Sequence, residues 1–326
     1  AEGARHGPAM MASGSEGGWE RVEPWFEKVA ASYKGESCFA RVGQSASGHF
    51  VKMVHNGIEY ALMQLIAEMY QLLRLGTNRS PKEVADIFNE WSEGTLNSYL
   101  LSISSHILSL ETTEGEPLVD LIDNKVGAKG TGLWTAQNAL ELGIAVPSLV
   151  AAVQARHLTN TCDTHAAKEM TYAAKATDTV DLDLAELKDA FTLASLLAYR
   201  QGLALIKGAS RAHQWKVDLS KTLQTWRAGC IIRADYLDNV AEGVEFIDSM
   251  QRESAALRKV TGAAVSSGLA FPVLTATQTY IATLTTPSNG HLVQAQRDYF
   301  GEHGIKTHSG EICHLTDLVE IDEKVR

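Results

Sequence analysis

From Gly48 onward, apolar residues recur at intervals of three and four, and no segment shows the apolar–polar alternation of a half-buried strand. The chain has only seven prolines, and several lie where helices are expected to start or stop, such as Pro81 after Ser80. The sequence therefore predicts a mainly α-helical protein. The predicted helices cover about residues 48–76, 80–91, 94–109, 117–122, 131–142, 147–156, 182–207, 217–225, 227–238, 240–264 and 268–285.

The N-terminal residues have a different pattern. Residues 1–18 are rich in glycine and are predicted to form a loop. Trp19–Tyr33 has helical spacing, and Ser37–Val42 has the composition of a short strand. We therefore expect a short mixed segment ahead of the helices.

Charge and composition exclude several classes of function. The chain carries 29 Lys and Arg against 39 Asp and Glu, a net charge of −10, which argues against nucleic-acid and anionic-membrane partners. No apolar run approaches the roughly 18 residues of a membrane span. Four cysteines without a CxxC pair, and eleven histidines without ligand spacing, predict neither a disulfide framework nor a metal site. We expect a cytoplasmic protein.

Two short segments resemble each other at an offset of 135 residues. Trp91-Ser-Glu-Gly-Thr-Leu96 is similar to Trp226-Arg-Ala-Gly-Cys-Ile231, and each follows a long apolar helix and precedes a tyrosine. The similarity is consistent with a duplicated helical unit or with chance.

One predicted helix carries an unusual set of polar residues. Positions spaced by three and four residues share one face of a helix, and here those positions are Lys52, His55, Asn56, Glu59 and Tyr60. The opposite face has core spacing: Val51, Val54, Ile58, Leu62 and Leu65. A solvated face normally contains mainly Lys and Glu, and Gly57 costs about 1 kcal/mol relative to Ala in a helix. The mixture therefore favours a functional face over a solvated one, and the glycine indicates that another group approaches closely.

The segment GHFVKMVHNGIEY at 48–60, followed by MQLIAE, resembles the signature helix of 6-phosphogluconate dehydrogenase. Further blocks resemble the same family in the same order along nearly the whole chain. They are EGARHGPAMM (2–11), GAKGTGLWT (127–135), AVQAR (152–156), WRAGCIIR (226–233) and QAQRDYFG (294–301).

The resemblance implies oxidative decarboxylation of 6-phosphogluconate to ribulose 5-phosphate with NADP and without a metal. It implies that Lys52 takes a proton from the substrate C3 hydroxyl and that Glu59 protonates the enediol left after CO2 departs. A lysine base needs a lowered pKa and a carboxyl acid a raised one. The remaining implied substrate-binding residues are His55, Asn56, Tyr60, Lys129, Thr131, Arg156, Arg297 and His303.

The resemblance also implies a domain organisation and a homodimer. Residues 1–42 would be a remnant of the NADP-binding domain, 43–295 an all-α substrate and dimerisation domain built from a duplicated unit, and 296–326 an extended tail. Arg297 and His303 in this tail would enter the active site of the partner subunit. Whether such dimers pair into tetramers stays open.

The chain departs from the family pattern in one main respect. It contains no GxGxxG turn after a strand, the feature that binds a dinucleotide pyrophosphate. We therefore expect this polypeptide alone to be inactive or nearly so. Two alternatives remain open: another β-hydroxyacid dehydrogenase acting on an unphosphorylated acid, and a catalytically silent helical dimerisation or binding module.

Overall fold

The computed structural model describes residues 2–161, 183–240 and 250–319. It divides into two compact units, Ala1–Gln278 and Thr279–Arg326, which are described separately. Helices dominate the described residues, so the prediction of a mainly α-helical fold is confirmed. The three-part division at residues 42/43 and 295/296 remains a prediction. Within the described residues, no helix is both long and apolar enough to cross a bilayer.

The N-terminal segment is more ordered than its glycine content suggests. It contains, in chain order, α1 (Glu2–His6), β1 (Met10–Ser13), α2 (Glu16–Phe26), β2 (Ser32–Tyr33), β3 (Glu36–Ser37) and β4 (Phe39–Gly43). The prediction of a loop over residues 1–18 is therefore wrong. The run Met10–Ser13 pairs in parallel with β4 and packs on the helix that begins at Ser47, and these long-range contacts outweigh the local glycine signal.

The helical part of the first unit begins with α3 (Ser47–Gln71), which continues into a π-helical turn, Leu72–Gly76. The helices that follow are α4 (Pro81–Ser92), α5 (Tyr99–Leu108), α6 (Thr131–Glu141), α7 (Pro147–Thr161), α8 (Leu184–Ala212), α9 (Leu219–Thr225), α10 (Leu237–Val240), α11 (Gln251–Ser266) and α12 (Pro272–Thr285), with a 3-10 turn at Leu118–Leu121. The predicted start at residue 182 and residues 241–249 of another predicted helix lie outside the described residues.

Two stretches predicted as helix are instead formed mainly by turns and bends, namely residues 94–98 and 227–236. Ser98 and Ala234 form an antiparallel bridge, and the Tyr99 N–H donates to the Arg233 carbonyl over 3.1 Å. Apolar spacing in a short segment does not report such pairing, because the partner lies more than 130 residues away in the chain.

The two similar tryptophan segments pack symmetrically. Trp91 stacks on Phe191 of α8, with ring centroids 6.0 Å apart, and Trp226 approaches His55 of α3 edge-on at 5.9 Å. Each tryptophan therefore contacts the long helix of the other half, and α3 packs extensively on α8. This reciprocal packing agrees with the duplicated helical unit.

The long helices also cap helices of the opposite half. The buried Glu68 carboxylate of α3 accepts the N–H groups of Val273 and Leu274 at the start of α12, each over 2.9 Å. The buried Gln201 of α8 accepts the N–H of Ser148 at the start of α7, also over 2.9 Å. Both contacts satisfy N–H groups that a helix leaves without an internal partner.

The second unit contains α13 (Gly290–Gly301), β5 (Ile305–Lys306), β6 (Ile312–Cys313) and α14 (Leu315–Leu318). The two strands form an antiparallel hairpin. The sequence prediction stopped its helices at residue 285 and described 296–326 as an extended tail. The tail instead starts within a helix and folds back on that helix through the buried Asp298 carboxylate.

The raised pKa of Glu68 predicts that this residue makes a pH-dependent contribution to the free energy of unfolding. Burial raises its pKa from 4.5 to about 7, against the opposing hydrogen bonds from Val273 and Leu274. Between these values the folded state binds more protons than the unfolded state, so this contribution falls as pH rises from about 4.5 to 7. Over this pH range, the contribution of Glu68 to the free energy of unfolding changes by about 3 kcal/mol.

The test compares the free energy of unfolding of the wild type with that of Glu68→Gln at several pH values, by denaturant titration. Taking the difference cancels the other titrating groups. We expect the wild type to lose stability relative to the variant as pH rises through this range. A difference that stays constant from pH 5 to 8 would contradict the prediction.

Candidate active site

Helix α3 presents the predicted polar stripe beside a fully packed apolar face. Val51, Val54, Ile58 and Leu65 are completely buried, and Leu62 is nearly so. On the polar face, Lys52 is exposed, Asn56 and Glu59 are half-buried, and His55 and Tyr60 are buried. The predicted stripe is therefore a boundary between the core and an accessible surface.

Three side chains of the stripe form one hydrogen-bonded cluster. Lys52 Nζ donates to Asn56 Oδ1 over 2.9 Å and lies 3.1 Å from His55 Nδ1. His55 Nδ1 is also 3.1 Å from Asn56 Oδ1. The spacing of three and four residues brings these groups together on adjacent turns, as expected for a helix.

His55 is a neutral imidazole in this cluster. Complete burial, with the charge of Lys52 as a second cause, lowers its pKa from 6.5 to about 3. Its Nε2 atom is buried and has no hydrogen-bond partner. A buried N–H without an acceptor is costly, so the geometry favours the proton on Nδ1, where it is donated to Asn56 Oδ1. A proton on Nδ1 also faces Lys52 Nζ, which favours a neutral amine there.

The pKa values of Lys52 and Glu59 shift in opposite directions. Partial burial lowers the pKa of the Lys52 amine and raises the pKa of the Glu59 carboxyl. Each charge counteracts the shift of the other, and Arg156 also acts to lower the pKa of Glu59. The two groups thus share one electrostatic environment, and burial favours a neutral amine and a protonated acid.

Helix α6 lies against the stripe because glycines allow a close approach. A Cβ on Gly57 would lie 2.5 Å from the Thr135 side chain, and a Cβ on Gly132 would lie 2.5 Å from the Tyr60 ring. Thr135 Oγ1 donates to the Met53 carbonyl of α3 over 2.9 Å. The group whose close approach Gly57 indicated is therefore Thr135.

This contact brings the glycine-rich loop before α6 to the stripe. Gly130 precedes the helix with φ +91°, a conformation that favours glycine, and Thr131 is the first helical residue. Lys129 is exposed and forms no ion pair or hydrogen bond with any of the described residues. An unpaired cation thus lies beside the N-terminus of α6, next to Tyr60.

Arg156 approaches the same end of the stripe from α7. Its guanidinium carbon lies 3.5 Å above the centroid of the Tyr60 ring, a close cation–π contact. Tyr60 therefore stands between α6 and Arg156, and the sequence separations involved are 72 and 96 residues. The structure groups Lys52, His55, Asn56, Glu59, Tyr60, Lys129, Thr131 and Arg156 around α3.

Arg297 and His303 belong to the second compact unit. Arg297 lies on α13 and His303 lies in the turn after it. Arg297 Nη1 donates to Gln294 Oε1 over 3.1 Å, and the His303 ring is 6.1 Å from that of Phe300.

Sequence reasoning missed two residues that support the site. Thr135 fixes α6 on α3, and Trp226 packs against His55. Both lie in segments already recognised, GAKGTGLWT and WRAGCIIR. No local pattern connects these segments with α3, because the contacts are tertiary.

The described residues contain no group of three or more His, Cys, Asp or Glu placed to hold a metal ion. Nor do they form a dinucleotide crevice. In the described part of the N-terminal segment, the parallel sheet consists of β1 and β4 alone. A dinucleotide is normally held by a larger parallel sheet with a glycine-rich turn at a helix N-terminus.

Gly57 provides a test of the packing of α6 on α3. Gly57→Ala is expected to destabilise the fold by about 1–3 kcal/mol, because the new Cβ overlaps Thr135. The matched control is Gly262→Ala in α11, where a Cβ meets nothing within 4 Å. That change is expected to stabilise by about 0.5–1 kcal/mol. Denaturant unfolding measures both, and equal effects of the two substitutions would disprove the packing argument.

Comparison with known proteins identifies the family. Residues 48–317 match the family described as "6-phosphogluconate dehydrogenase, C-terminal domain". The chain is 38% identical over 329 residues to the decarboxylating 6-phosphogluconate dehydrogenase of Lactococcus lactis, and 39% identical over 323 residues to that of Cunninghamella elegans. These alignments cover 93% of the chain and 68% and 66% of the relatives, so the chain spans about two thirds of their length.

A solved structure gives the same result. The Plasmodium falciparum 6-phosphogluconate dehydrogenase, determined in apo form and in complexes with NADP+ and with 6-phosphogluconate, superposes with a TM-score of 0.89 at 34% identity. The match covers 96% of this chain and 72% of the other. The chain belongs to the decarboxylating 6-phosphogluconate dehydrogenase family.

Proposed function

We propose that this chain supplies the substrate-binding and proton-transfer part of the oxidative decarboxylation of 6-phosphogluconate to ribulose 5-phosphate and CO2, a reaction of the pentose phosphate pathway. The observation that carries the proposal is the pairing of Lys52 and Glu59 on one helix. Their pKa values are shifted in the directions that a base and an acid require.

The two proton transfers of the reaction fit this face. The neutral Lys52 amine accepts the proton of the C3 hydroxyl as C3 is oxidised. After the C1–C2 bond breaks and CO2 leaves, its electron pair forms the C2=C3 enediol. Protonated Glu59 then delivers a proton to C2 of the substrate, which becomes C1 of ribulose 5-phosphate. Seven residues separate the two groups, about 10 Å along the helix axis, and their long side chains would converge on the adjacent carbons C3 and C2 of one bound sugar acid.

The phosphate of the substrate would bind at the Tyr60 end of the stripe. Lys129 has no partner among the described residues and would be free to pair with an anion. The N-terminus of α6 adds backbone N–H groups and the positive end of the helix dipole. Arg156 supplies a second cation over Tyr60. Asn56 and Thr131 complete the expected substrate contacts. His55 contributes indirectly, through its contact with Lys52.

NADP is proposed as the cofactor of the complete reaction, and it would supply the hydride acceptor. Because the described residues form no dinucleotide crevice, no step of the mechanism is derived through it. We also propose the homodimer with exchange of the tail, the three-part domain organisation and the cytoplasmic location.

Substrate binding tests the proposal directly. Isothermal titration calorimetry of this chain with 6-phosphogluconate is expected to detect binding that Lys129→Ala weakens by about tenfold or more, since a charge-assisted contact is lost. The matched control is Lys125→Ala in the same exposed loop, which is expected to leave the affinity nearly unchanged. Equal losses in the two variants would indicate general attraction rather than a phosphate site.

A catalytically silent dimerisation or binding module is the second candidate, favoured because the described residues form no dinucleotide crevice. A silent module has no need of the base and the acid. If the chain fails to bind 6-phosphogluconate, this candidate replaces the first.

Turnover provides an independent prediction. With 6-phosphogluconate and NADP, this polypeptide alone is expected to form no NADPH above background, because its described residues form no dinucleotide crevice. Absorbance at the NADPH band measures this, with a complete family enzyme as the positive control. Sustained turnover that Lys52→Met abolishes would disprove the expectation while supporting the assignment of the base.

A further inference from the structure

The second unit is organised around one buried carboxylate. Asp298 on α13 is only 3% exposed. Its oxygens accept the N–H of Gly304 over 2.6 Å, the N–H of Leu315 over 2.7 Å and a bond from His314 Nδ1 over 2.8 Å. These hydrogen bonds lower the pKa of Asp298. The hydrogen bond between Asp298 and His314 also raises the pKa of His314. All three partners donate, so the position requires an acceptor-only group.

The contacts of Asp298 enclose the turn that carries His303. On one side, the Gly304 N–H is held by Asp298; on the other, the Gly304 carbonyl accepts from Gln294 Nε2 over 2.6 Å. The same Gln294 side chain accepts from the Arg297 guanidinium. This small hydrogen-bond network therefore fixes the His303 turn relative to the C-terminal end of α13.

We propose that Asp298 is a positioning residue: its carboxylate holds the His303 turn against α13 and so orients Arg297 and His303 together for binding the substrate phosphate. The inference rests on the proposed function, because that function makes Arg297 and His303 ligands of the phosphate. A rigid presentation costs less ordering entropy on binding than two free side chains would.

The test uses Asp298→Asn in the full chain. Asparagine keeps the size but turns an NH2 group toward donors, so the network cannot be restored. The matched control is Asp317→Asn, which removes another carboxylate of the tail, the one that accepts the His314 N–H at the start of α14. Hydrogen exchange of segment 302–306 is expected to accelerate in Asp298→Asn and to stay unchanged in the control. Unchanged exchange in Asp298→Asn overturns the inference.

Measurements of substrate affinity then distinguish a positioning role of Asp298 from general structural support. Asp298→Asn is expected to raise the Kd for 6-phosphogluconate about tenfold. In an Arg297→Ala/His303→Ala background, the same substitution is expected to have no further effect, because it acts only through those residues. An additive loss in that background overturns the inference.

The two hypotheses fail differently. If the wild type does not bind 6-phosphogluconate, the proposed function fails, and the claim that Asp298 prepares a phosphate ligand falls with it. If the wild type binds and Lys129→Ala weakens binding, but Asp298→Asn does not, only the positioning role is disproved.

Discussion

The candidate site depends on the close approach of two helices. Gly57 of α3 faces Thr135, and Gly132 of α6 faces Tyr60, so neither helix holds the other away with a side chain at these points. The Thr135 hydroxyl then bonds to the α3 backbone. Because α6 begins directly after the glycine-rich loop, this packing fixes where Lys129 and the N-terminus of α6 lie relative to the polar face. The glycines thus determine the geometry of the site through the packing of the two helices.

The polar face is costly to maintain. A completely buried imidazole with an unpartnered nitrogen, a partly desolvated amine and a partly desolvated carboxyl all act against folding. The energetic cost of His55, Lys52 and Glu59 is therefore best explained by the chemistry proposed for them, in which burial adjusts their proton affinities.

Local periodicity was sufficient to predict most of the helices and the shared face of Lys52, Asn56 and Glu59. It was also sufficient to indicate a close contact at Gly57, but not to identify Thr135 as the neighbour. Contacts between distant segments were not predictable in this way. The antiparallel bridge at Ser98 replaced predicted helix, and strand β1 replaced predicted loop. The meeting of Arg156 with Tyr60 likewise follows only from the fold, since neither residue type is unusual on a helix.

The reciprocal helix caps have a consequence for how the first unit folds. Glu68 of one half closes the start of a helix in the other, and Gln201 does the same in return. The starts of α7 and α12 are each closed by a side chain of the other half, so an isolated half would leave those N–H groups unpaired and expose its apolar surface. Although the architecture is repetitive, its halves are thermodynamically inseparable and form one cooperative folding unit, unlike a solenoid whose repeats can be added or removed.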